Sequence, residues 1–151
     1  MKSISHTHTF ETAASIDELF PLFSPEGEKH RVPGWGYENV MGTTELREDY
    51  VFKTTSHDHG AAGAIWVVKR HEPGDGLVEF IKVEPEQKVG IVKVNCTALA
   101  AQRAQVEVTY TYTALSPAGE QFVAGFDRAA YTVFIEEWET LLSNYFERRR
   151  Q

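Results

Sequence analysis

From Ser3 to Phe10 the chain alternates: Ile4, His6, His8 and Phe10 fall on one face, and Ser3, Ser5, Thr7 and Thr9 on the other. Period two with abundant Thr predicts a strand. A helix follows at Ser15-Ile16-Asp17-Glu18, where the Ser and Glu side chains are spaced to satisfy free N–H groups of the first turn. Leu19, Phe20, Leu22 and Phe23 supply its apolar stripe, and Pro21 should kink or shorten it. Ser24-Pro25 restarts helicity, with Ser as cap and Pro at the first helical position; this second short helix ends before Pro33-Gly34.

Between Trp35 and Ala114 the pattern predicts six more strands, over residues 37–41, 49–56, 64–71, 77–83, 88–99 and 104–114. Short connections, among them the turn Pro73-Gly74-Asp75-Gly76, imply an antiparallel meander. In the last strand Val106, Val108, Tyr110 and Tyr112 should face inward, and in the one before it Val92, Val94 and Cys96. The strand at Leu77 is ambiguous, because Glu79 and Lys82 have opposite parity: either a bulge intervenes or one charge faces the interior. The chain closes with one long helix over about residues 118–148, opened by Ser116-Pro117. Its expected apolar stripe is Phe122, Phe126, Ala130, Val133, Phe134, Trp138, Leu141 and Tyr145; Arg128, Thr132, Glu136, Glu139, Ser143 and Glu147 mark the opposite face. At 1.5 Å per residue such a helix spans on the order of 45 Å, more than a surface helix needs, and it asks for a sheet curved around it.

Composition narrows the function classes. At 151 residues, with 42% hydrophobic and 25% charged residues, the chain fits one globular domain over 1–151 with no repeat or linker. The net charge of -7 opposes nucleic-acid backbones, so no nucleic-acid partner is expected. Cys96 is the lone cysteine, which leaves no intrachain disulfide and no cysteine-based zinc site. Met1 to Phe10 lacks the apolar core of a signal peptide and no window is apolar enough for a membrane span, so a cytoplasmic location is expected. Phosphate loops and dinucleotide fingerprints are absent, and no cofactor is expected.

The stretch from Phe10 to Phe20, the run Leu22-Phe23-Ser24-Pro25-Glu26-Gly27-Glu28 leading to Pro33-Gly34-Trp35, and Val108-Thr109-Tyr110-Thr111-Tyr112 before the last helix resemble the START-like, or Bet v 1-like, superfamily. That group includes polyketide cyclases, plant pathogenesis-related ligand carriers and relatives of the Hsp90 ATPase activator. The resemblance spans essentially the whole chain and implies an α+β helix-grip fold. In it a seven-stranded curved antiparallel sheet wraps a long C-terminal helix, with two short helices after the first strand. It also implies an internal cavity for a small hydrophobic or aromatic ligand. The expected wall is Phe52, Trp66, Val68, Phe80, Val94, Tyr110 and Tyr112 from strands, with Phe126, Ala130 and Val133 from the helix. The phenols would add polar handles to an apolar wall.

Three readings stay open at this stage: a ligand carrier, a polyketide cyclase or aromatase-like enzyme acting by positioning and acid–base help, and a protein-binding module with a filled core. No catalytic residue is assigned. Glu79, Lys82 or Arg70 would become a candidate if it faced the cavity, where burial perturbs acidity. His6 with His8 on one strand face, and His57 with His59 near a hairpin tip, form His-x-His pairs. A metal-binding His-x-His would want a Glu a few residues on, whereas Gly60-Ala61-Ala62-Gly63 follows His59, and no metal site is expected.

Overall fold

The computed structural model describes residues 2–32, 36–55 and 63–150. Its first strand, β1 (Ser3–Thr12), leads into α1 (Ile16–Leu19), a 3-10 turn at Phe20–Leu22, and α2 (Pro25–Glu28). The capping chemistry is as expected from sequence. Glu18 N–H donates to Ser15 Oγ at 3.1 Å while Ser15 N–H donates to Glu18 Oε1 at 3.2 Å, and Gly27 N–H donates to Ser24 Oγ at 2.9 Å. Pro21 replaces the expected helical continuation with the 3-10 turn.

Six strands then run as a meander: β2 (Tyr37–Glu38), β3 (Val51–Thr55), β4 (Gly63–Glu72), β5 (Leu77–Glu84), β6 (Lys88–Ala100) and β7 (Arg103–Ala114). All neighbours are antiparallel in the order β1-β7-β6-β5-β4-β3-β2. β2 stops well short of the expected Met41. Asn39 Oδ1 there accepts from Gly42 N–H at 3.1 Å, and Gly42 takes a positive φ of 72°, so the chain turns instead of extending.

β5 itself alternates without a break, so of the two alternatives one charge, Lys82, faces the interior, and the bulge lies on its neighbour. The β4–β5 register shifts between Val68 and Arg70, so Arg70 pairs with Glu79 on the outer face while Val68 pairs with Phe80 and Trp66 with Lys82 on the inner face. Glu79 lies on the outer face, largely covered, with Lys69 3.9 Å away, and Arg70 pairs with Glu72 at 2.7 Å. Of the three charged candidates only Lys82 faces inward.

The expected single C-terminal helix is two: α3 (Pro117–Gly125) and α4 (Arg128–Arg149). Phe126 leaves helical geometry at φ -90°, ψ 65°, and Asp127 restarts the helix as an N-cap, its Oδ1 accepting from Ala130 N–H at 2.9 Å. This restart shifts the phase of the apolar face. Tyr131, Ile135, Leu142 and Phe146 are buried, whereas Ala130 is exposed and Val133 is 67% exposed. Replacing Asp127 with Ala is expected to cost about 1 kcal/mol, read by urea denaturation. No measurable loss would mean that packing alone fixes the break.

Candidate functional site

Alternation on β3, β4 and β5 brings three rings onto the inner face. Phe52 stacks on Trp66 at 5.5 Å with the planes 9° apart, and Phe80 meets both edge-on at 6.2 and 5.9 Å. Trp66 Nε1–H donates to Thr54 Oγ1 at 2.9 Å, which fixes the indole. Val92 and Val94 continue this wall on β6 and Tyr110 on β7. Opposite, Trp138 of α4 stacks on Phe23 at 6.1 Å and meets Tyr110 edge-on at 6.1 Å.

These residues, with Ser24, Pro25 and Glu28, enclose a cavity of about 30 Å³. That volume suits about one water molecule. An open cleft of about 310 Å³ lies on the other side of Phe23 and Ser24, bordered by Phe20, Pro21, Thr44, Leu46, His71 and Pro73. Phe23 and Ser24 line both spaces and form their common wall.

Two groups of buried charges adjoin the apolar interior. Arg31 is 3% exposed; its Nη2–H donates to Glu28 Oε1 at 3.0 Å, and its guanidinium carbon lies 5.4 Å from both the Phe23 and Trp138 ring centres. Burial lowers the pKa of this guanidinium, opposed chiefly by the Glu28 carboxylate. The second group crosses the β5–β6 turn: Lys82, Glu84 and Lys88, each 1% exposed. Lys88 Nζ–H donates to Glu84 Oε1 at 3.2 Å, and Lys82 Nζ is 3.9 Å from Glu84 Oε2. Aromatic faces surround both ammonium groups: Lys88 lies 3.9 Å from the Phe122 ring centre and Lys82 5.2 Å from that of Trp66. Gly90 makes room here, because a Cβ at that position would come within 2.8 Å of Tyr112 Cε1.

Of the wall expected from sequence, Phe52, Trp66, Phe80, Val94 and Tyr110 meet at the cavity. Val68 is fully buried in the core and does not line it. Tyr112 and Phe126 belong to a neighbouring cluster with Phe122, their rings 5.5 Å apart. Ala130 and Val133 are corrected outright, since the restart at Asp127 turns them to solvent. Phe23, Ser24, Pro25, Glu28, Val92 and Trp138 complete the wall without having been singled out for it. The Glu28/Arg31 spacing of three was the available signal for the polar end.

His6 and His8 do share a sheet face, but His6 Nε2 is bonded to the Phe126 carbonyl oxygen at 2.8 Å and the ring stacks on Tyr131 at 5.5 Å. His57 and His59 lie outside the described residues, as does Trp35. Among the described residues no group of three or more His, Cys, Asp or Glu is placed to hold a metal ion. Burial pushes the Cys96 thiol up to about 12, so it stays protonated and unreactive at neutral pH.

No described helix is long and apolar enough to cross a membrane. By sequence the chain matches no protein-family model and no curated protein. By structure it is similar to major latex-like protein 151 from Panax ginseng, with TM-score 0.72, 17% identity, and coverage of 96% of this chain and 98% of that one. It is also similar to norcoclaurine synthase from Thalictrum flavum in complex with dopamine and hydroxybenzaldehyde, with TM-score 0.68, 13% identity, and coverage of 97% and 87%. A third similar structure is the Zhui aromatase/cyclase from Streptomyces sp. R1128, with TM-score 0.63, 13% identity, and coverage of 99% and 96%. These likenesses establish the helix-grip fold of the Bet v 1-like proteins.

Proposed function

We propose that this helix-grip protein binds a small hydrophobic or aromatic molecule between the inner sheet face and α4. The observation that carries the reading is that Phe23 and Ser24 line both an aromatic cavity and an open cleft. As it stands the cavity is too small for such a ligand. If Phe23 swings aside, cavity and cleft join into a space of the size small-molecule sites have, upward of about 300 Å³. The norcoclaurine synthase complex supports the reading, since a protein of this fold was solved with two small aromatic molecules.

The test uses the neutral fluorescent probe N-phenyl-1-naphthylamine. Micromolar binding, about -8 kcal/mol, is expected. Phe23→Ala should tighten it, and Val94→Phe, which fills the cavity from its wall, should weaken it at least tenfold while thermal unfolding stays cooperative. No saturable binding to either wild type or Phe23→Ala would make the interior a packed core and end the proposal.

A second reading, a cyclase or aromatase-like enzyme, draws on Lys82, Glu84 and Lys88 beside the Tyr112 ring, which lies 5.4 Å from Lys88 Nζ. Mass spectrometry separates the two. A carrier returns a poly-oxo compound unchanged, whereas the enzyme returns it cyclised with loss of water.

A further inference from the structure

Among the described residues one buried donor has no acceptor: Arg31 Nε–H. The groups that hold this guanidinium all belong to the cavity wall. Glu28 takes its Nη2–H, and Phe23 and Trp138 present their ring faces to it. Arg31 thus stands behind the cavity wall without lining it: the Phe23 ring covers the guanidinium, so its Nε–H, still requiring an oxygen, is reached from the cavity when that ring swings aside.

We infer that Arg31 Nε–H recognises a neutral carbonyl oxygen of the bound molecule, so that the ligand is an uncharged aromatic ketone, quinone, lactone or amide rather than an acid or an amine. The inference rests on the proposed ligand binding and specifies its chemistry. Charge decides between acceptors. Arg31 and Glu28 already neutralise one another at 3.0 Å. A ligand carboxylate would add a second anion beside Glu28 inside an apolar wall, and an ammonium would face the guanidinium; each leaves an uncompensated buried charge. A carbonyl oxygen satisfies the donor and adds none. Losing that acceptor leaves the donor buried and unpaired, which is how a site built to hydrogen-bond one group rejects an isostere lacking it.

Three naphthalenes of similar shape provide the test, titrated against wild type by calorimetry: 2-acetylnaphthalene, 2-isopropenylnaphthalene and 2-naphthoate. The ketone should bind at least tenfold more tightly than either of the others. In Arg31→Met/Glu28→Gln, which removes both charges together, ketone and alkene should bind within about twofold of each other. Arg31→Lys, which keeps the charge and loses the Nε–H, should narrow the ketone's advantage. Equal binding of ketone and alkene by wild type overturns the inference and leaves the ligand-binding reading standing; a preference for naphthoate also overturns it. If none of the three binds, both fall. Should the double variant not fold, the wild-type preference among the three probes still decides.

Discussion

Replacing Glu84 with Ala should lower the unfolding free energy by about 3–5 kcal/mol, the usual cost of breaking a buried ion pair from one side. Glu84 is 1% exposed and its Oε1 accepts from Lys88 Nζ at 3.2 Å; its other oxygen lies 3.9 Å from Lys82 Nζ. Without the carboxylate, Lys88 is held in an apolar box with only ring faces for company. Ring faces return part of what water gave, about 2 kcal/mol at best. The pair itself is a weak stabiliser, because desolvating two charges cancels most of their attraction. The double variant Glu84→Leu/Lys88→Met should therefore recover part of the lost stability, Lys82 still losing its ion pair with Glu84. Urea denaturation of the two variants decides the matter. A loss below 1 kcal/mol for Glu84→Ala, or a double variant as damaged as the single, would mean that water reaches these groups.

The second large effect belongs to Phe126. Its ring is 6% exposed and meets His6, Tyr112, Phe122 and Tyr131 at 5.2 to 6.0 Å between ring centres. Phe126→Ala should cost about 3–5 kcal/mol, since those side chains cannot collapse into the space without disturbing the α3–α4 junction. Phe134→Ala should cost less, because that ring is only half-buried. Val133→Ala, on the exposed face, should stay within about 0.5 kcal/mol of wild type. The three values together test the phase of α4. A large loss at Val133 with little at Phe126 would restore the continuous helix.

Why that phase was hidden from the sequence is instructive. Phe122, Phe126 and Ala130 recur at four-residue spacing, so an unbroken helix runs naturally through them. Gly125 before Phe126 and Asp127 after it are a stop signal and a cap, each weak alone. Caps at Ser15, Ser24 and Ser116 were legible because Glu or Pro followed at the spacing that capping chemistry needs. Strand faces were legible for a related reason: alternation is local, and β7, with β6 as far as Cys96, keeps it. β5 was not, since its inner face carries two charged residues, Lys82 and Glu84, that the alternation of apolar and polar positions would place outside. The polar end of the cavity escaped notice because Glu28 and Arg31 look like an ordinary surface pair. What buries them are Phe23 and Trp138, and Trp138 arrives from the far end of the chain.

The place of β1 in the sheet has a consequence for how the molecule comes into being. β1 bonds only to β7, with Ser3 opposite Thr113, a separation of 110 residues. β2 to β7, by contrast, each join the strand beside them in sequence. Closing so long a loop carries an entropic cost before any ladder bond forms to offset it. During synthesis, at roughly 5–20 residues per second, the strand made first must wait for the last one. In that interval Phe10 has no β7 to cover it, and the nascent chain offers chaperones an unpaired N-terminal strand while the meander behind it is still growing.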